Sequence, residues 1–215
     1  MGQVLIDGRP VEVNPVAGIT VADVFAGVRD EILRSGRIIT DVRIGDEPVT
    51  WDDGHPAWNQ SVAESANLDL KTDYPIRISG PLVERVIGTL DLIARQHQEL
   101  AEAFRAQDRN AFEAAAQSLG AWQELQHVLD QVCILHGIDL EAPSWKSIAD
   151  SLRECFGKLE QLLKEMKDSL EHGDMVLTAD LLEFELAPLA EEFVAPCKQF
   201  HAELERQYQA PDSGA

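Results

Sequence analysis

The stretch DMVLTADLLEFELAP, residues 174–188, decides how the second half of the chain is read. Met175, Ala179, Leu182, Leu186 and, one residue beyond the stretch, Leu189 recur at three- and four-residue steps, the spacing of a helix face turned toward a core. At about 100° per residue, Leu177, Leu181 and Phe184 fall about 140–180° away from Leu186 and make a second apolar stripe. Burying such side chains contributes roughly 1.5–3 kcal/mol each. Leaving all three in water would forfeit about as much as a domain's whole stability margin. A cover is therefore expected: another part of the chain, a second copy, or a different protein. Asp180, Glu183 and Glu185 lie between the stripes and suit the polar flanks of a helix gripped from two sides. Two-sided burial inside the protein's own domain accounts for the same pattern.

The helical period that governs this stretch begins at Pro81, a residue suited to a helix's first turn. Leu82, Val86, Leu90, Ile93, His97, Leu100 and Phe104 trace a first long helix, broken at Gln107-Asp108. Phe112, Ala115, Leu119, Trp122, Leu129 and Cys133 trace a second, closed by His136-Gly137. Ser144 precedes a third with Ile148, Leu152, Cys155, Leu159, Leu162, Met166 and Leu170 inward, ending at His172-Gly173. Asp174 caps the fourth, in which Pro188 and Pro196 predict bends near residues 184–188 and 192–196. Short connections favour antiparallel neighbours.

Before Pro81 the pattern is different. Residues 3–6 and 11–13 are short β-prone runs joined by Asp7-Gly8, a tight-turn pair. Thr20 starts a helix carrying Val21, Val24, Phe25, Val28, Ile32 and Leu33, with Asp23 three residues on. Residues 37–44 and 48–51 read as a hairpin around Gly45-Asp46, and 68–72 as a last strand. The fold class expected is α+β: a small β-grasp-like head over residues 1–78, an antiparallel four-helix body over 79–209, and a disordered tail at 210–215.

The formal charge of −20 in 215 residues opposes binding to nucleic acid through phosphates and to acidic membranes. A basic or amphipathic protein ligand would be attracted at long range. No stretch has the roughly 20 apolar residues of a membrane span, and no secretory signal is visible. A cytoplasmic protein is expected, with Cys133, Cys155 and Cys197 as reduced thiols.

Three groups could carry chemistry. Trp51, Asp52, Asp53, His55 and Trp58 cluster in a loop, where carboxylates beside an imidazole could bind metal or move protons; a solvated turn with two aromatics tucked onto the sheet gives the same pattern. Glu124 and His127 form one copy of a carboxylate–histidine pair whose di-iron use needs two. Counted along antiparallel helices, Cys155, Cys197 and the 124–127 segment reach similar heights, a donor set suited to zinc. Cysteine is equally a common buried small residue. There is no Gly-rich phosphate loop, nucleophile elbow, Cys-x-x-Cys pair or two-histidine zinc motif. No cofactor is expected.

The element order of the head resembles the β-grasp or ubiquitin-like arrangement. With RIITDVRI at 37–44 and the 174–188 stretch, the whole chain resembles a group of uncharacterised bacterial proteins that join such a head to a helical body. Ubiquitin-like modifiers end in an exposed Gly-Gly, whereas this head runs on through Tyr74-Pro75, so conjugation and sulfur carriage are not expected. A looser similarity, in size, charge and helix content, is to acidic helical chaperones of flagellar or secretion substrates. The function expected is a non-enzymatic interaction protein, an adaptor, scaffold or chaperone. Leu177, Leu181 and Phe184, flanked by Asp180, Glu183 and Glu185, would face a second copy or a helical client. A metal-binding or carboxylate-based enzyme is the alternative.

Overall fold

Asp7 and Gly8 both adopt positive φ, 51° and 75°, the conformation that a two-residue hairpin turn demands. They join β1 (Val4–Ile6) to β2 (Arg9–Val11). The computed structural model describes residues 3–12, 19–50, 54–61 and 67–208, so Val13, Trp51, Asp52, Asp53 and the tail from 210 onward lie outside the described residues. The chain divides into two units, Met1–Ile78 and Ser79–Ala215.

In the first unit, β3 (Ile38–Ile44), β4 (Glu47–Pro48) and β5 (Leu68–Asp73) bring the strands among the described residues to a five-stranded mixed sheet. Its order is β2-β1-β5-β3-β4. The central pair, β1 and β5, is parallel and every other pair antiparallel. Helix α1 (Val21–Arg34) starts from a capping box. The Thr20 hydroxyl oxygen accepts from the Asp23 amide at 3.2 Å, and the Asp23 carboxylate accepts from the Thr20 amide at 3.0 Å. This satisfies two otherwise orphaned donors reciprocally. Its apolar face, Val21, Val24, Phe25, Val28 and Ile32, packs with Val4, Ile44, Leu68, Leu70 and Trp58 as one core. Asp7 staples the start of this unit to its end: its carboxylate accepts from the Thr72 amide (2.8 Å), the Thr72 hydroxyl (2.9 Å) and Arg37 (2.9 Å).

The helical unit departs from expectation in two ways. Its first helix, α2, spans Pro75–Arg105. Pro75, not Pro81, takes the first position, where a missing N–H costs nothing. Pro81 lies inside the helix and is solvent-exposed, while Ser79, Gly80 and Val83 around it are buried, so packing carries the helix through the one lost bond. Among its described residues the body also has five α-helices rather than four. After α3 (Ala111–His136) and α4 (Pro143–Glu171), the fourth expected helix divides into α5 (Met175–Asp180), a π-helical turn (Leu181–Leu186) and α6 (Ala187–Gln207). Pro188 is the physical reason, since its ring crowds the carbonyl four residues back, at Phe184. The chain widens there, and the Ala187 amide donates to Leu182, five residues earlier, the bonding of a π turn. Pro196 sits within α6 without dividing it. Among the described residues no helix is long and apolar enough to cross a membrane.

Candidate functional site

Asp174 opens α5 by accepting a hydrogen bond from the Leu177 amide at 2.9 Å. The stripe that follows is split by the π turn. Leu177 and Phe184 are 46% and 61% exposed, and Val176 beside them 66%. Leu181, at 5%, is buried with Leu182 and Leu186 inside the protein's own body. The expected trio therefore does not act as one face: Leu181 is covered internally, and Leu177 and Phe184 stand in solvent. A 100° wheel places the three together, but the wider turn opens the angle between Leu181 and Phe184.

Arg105, the last residue of α2, fixes this segment. Its guanidinium donates to Asp180 at 2.9 Å and to Glu183, and it lies 5.8 Å from the centre of the Phe184 ring. The hydrogen bond it donates to Asp180, then that to Glu183, pushes the arginine's pKa further up. Asp180 and Glu183 are thus internal clamps, and Glu185 is an exposed carboxylate next to Phe184. The result is a small apolar patch with an acidic rim on a braced helix.

Behind the turn, His97 of α2 is buried and bonded to the Leu186 backbone. Burial pulls its pKa down to about 4 against the opposing effect of that bond, so the ring is neutral. Its plane is stacked on Trp122 with centroids 6.0 Å apart. His97 Nδ1, Trp122 Nε1 and Ser118 Oγ have no hydrogen-bond partner among the described residues. Sequence placed His97 correctly on the inward stripe. The unpaired Ser118 and Trp122 carry no signal in a single sequence.

A second pair escaped the sequence reading. Ser79 Oγ lies 2.8 Å from His136 Nε2, and Tyr208 donates to the His136 carbonyl at 3.2 Å. The Ser–His distance suits an activated nucleophile. Ser79, however, is fully buried, and His136 Nδ1 meets no acid among the described residues. The pair ties the start of the body to the end of α3, and Tyr208 adds the end of α6.

The metal alternatives do not assemble. Burial first, and then the nearby Cys155, pushes the Cys197 thiol up to about 12. Glu124 and His127 are exposed on α3, Glu124 within 3.5 Å of Arg85. No group of three or more His, Cys, Asp or Glu is placed to hold a metal among the described residues. Of the loop cluster, Trp58 is core: it packs 5.0 Å from Phe25 and donates to the Thr50 carbonyl at 3.2 Å. His55 accepts from the Ala57 amide at 3.3 Å, capping a 3₁₀ turn (Pro56–Asn59).

These features define an α+β protein with a mixed-sheet head, a helical body and an exposed apolar patch in that body. The chain belongs to the family described as domain of unknown function DUF8042, which matches residues 82–195, over half its length. Residues 3–73 match the family described as the TP0873 N-terminal domain. No curated protein and no solved structure matches the chain.

Proposed function

We propose that this chain is a non-enzymatic, cytoplasmic interaction protein that uses the solvent-facing side of α5 and the π turn to bind a second copy or a helical client. The observation that carries the proposal is Phe184. A phenylalanine 61% exposed on a helix clamped by Arg105 is an anchor held ready, with little ordering left to lose on binding. Leu177, one turn and more before it, widens the patch, and Glu185 supplies an acidic rim. π turns of this kind are frequent at functional sites. The head is proposed to be a β-grasp-like module. Its strand order, with first and last strands parallel at the centre, supports that assignment, but fold alone assigns it no activity.

The deciding experiment is association of the full chain, by light scattering across concentrations and by pull-down, with the Leu177→Ser/Phe184→Ser double variant beside the wild type. Loss of association with unchanged thermal unfolding supports the proposal. Association that survives the double substitution overturns it.

A further inference from the structure

A groove of about 650 Å³ runs between α3 and α4, walled by Leu129 and Cys133 on one side, Leu152, Phe156 and Leu163 on the other, and Phe200 of α6 below. It shares no lining residue with the Leu177–Phe184 patch. Its walls extend from Gln123 to Cys133 on α3 and from Ala149 to Leu163 on α4. At 1.5 Å per residue this is roughly 15–21 Å, the length of about 10–14 helical residues.

Charge says what fits, and an exposed glycine on the α4 wall leaves room for it. Gly157 lines the groove in the middle of α4, where glycine weakens a helix relative to alanine. A Cβ added there would meet nothing within 4 Å beyond its own stretch of helix. The space left by its missing Cβ is thus unused by the protein's own packing and permits close approach of another backbone. The charge is that of Asp130 on the α3 wall and Glu160 on the α4 wall, exposed carboxylates that both line the groove. Arg153, the cation of the lining, is engaged by Glu141 and by Asp150 at 2.8 Å.

We propose that this groove receives an amphipathic helix from a different protein, apolar along one face and carrying Lys or Arg on both flanks to meet Asp130 and Glu160. A second copy is disfavoured because it would bring its own −20 charge against the same carboxylates. The arrangement is helix-in-groove recognition with acidic walls.

The test uses the full chain and a fluorescent synthetic helix of about 14 residues, built of Leu and Lys with leucines on one face. A peptide of the same composition, scrambled so that no single face is apolar, is the control. The patterned peptide is expected to bind at least about tenfold more tightly than the scrambled one. It should also protect Cys133, the half-buried groove thiol, from alkylation. Gly157→Leu should weaken binding by about tenfold or more without lowering thermal stability. The Asp130→Lys/Glu160→Lys variant should weaken it and flatten its salt dependence, and it decides the matter if Gly157→Leu fails to fold. Binding that Phe184→Ser abolishes and the groove variants leave unchanged would belong to the patch and overturn the groove proposal, so the two failures are separable. Equal binding of the two peptides, or unchanged affinity in the groove variants, overturns the proposal. So does a dimer that protects Cys133 without peptide, which would give the groove to a second copy.

Discussion

Arg105 Nη2 stands 2.9 Å from Asp180 Oδ1, a bond between the last residue of one helix and the last residue of another, far apart in the chain. With Glu183 as second acceptor, it holds the π turn against the end of α2. Both ends are accessible to water, so the contribution to global stability is small and salt-sensitive. Arg105→Gln is expected to leave the melting temperature nearly unchanged while amide exchange over residues 181–186 accelerates. Hydrogen exchange read by mass spectrometry checks this. Unaltered exchange would show that Pro188 and core packing alone hold the turn.

Leu181 and Phe184 should behave as opposites. Leu181 is buried beside Leu182 and Leu186, so Leu181→Ser leaves a cavity and an unpaired hydroxyl, costing about 2–5 kcal/mol. Phe184→Ser removes an exposed ring and should move stability by about 0.5 kcal/mol or less. Urea unfolding of the two variants separates them. Similar losses in both would mean that Phe184 is covered in solution.

His97 gives the body a pH dependence of definite sign. Its folded pKa, about 4, lies below the ordinary 6.5 because burial disfavours the charged ring. The unfolded chain therefore takes up a proton that the folded chain refuses. Stability from this residue is complete above about pH 6.5 and is lost as pH falls toward 4, amounting to about 3 kcal/mol. Between about pH 7.5 and 5, wild type should lose roughly 2 kcal/mol more than His97→Leu. Parallel pH curves for the two would place the titration elsewhere.

Asp7 is the corresponding residue of the head. Burial works against its charge, but hydrogen bonds from the Thr72 amide and hydroxyl and the Arg37 guanidinium prevail and hold its carboxyl below the usual range. Its contribution is present above the unfolded carboxylate pKa and lost as pH falls through the folded one. Asp7→Ala should destabilise the head by about 1–3 kcal/mol, because it strips acceptors from Thr72 and Arg37. Thermal unfolding followed by methyl NMR of Val21 and Leu70, both buried in the head core, is the measurement. An unchanged transition would mean the sheet itself closes this unit.

The legible parts of the fold were those with local chemical punctuation. Thr20 with Asp23, Asp7 with Gly8, Gly137 in the left-handed conformation after α3 and Asp174 before α5 are satisfied by near neighbours in sequence. One sequence therefore reveals them. The inward stripe of α2 was read from period alone, and Val86, Leu90, Ile93, His97, Leu100 and Phe104 are all buried. Helical period misplaces residues at the rim of a stripe and wherever the 100° step changes. It put Phe112 in the core, whereas Ala111 and Ala115 take that face and Phe112 is 49% exposed, meeting Phe104 edge-on at 5.4 Å. It aligned Leu181 with Leu177 and Phe184 because a π turn changes the angular step without changing composition. Pro188 announced that something would give way near Phe184, but not that the helix would widen and continue. The Ser79–His136 contact joins residues distant in the chain and has no local signature.

The edges of the head's sheet limit what the head can do in a crowded cell. One edge, β2, has Pro10 at its centre, paired with Leu5, and the other, β4, is two residues long and ends in Pro48. A proline lends no amide to a neighbouring strand, and so short an edge offers almost no template for one. At the described edges, backbone-to-backbone growth into fibres and capture of extended peptides as an added strand are both disfavoured. Such edges leave side chains as the favoured means of recognition for this small sheet.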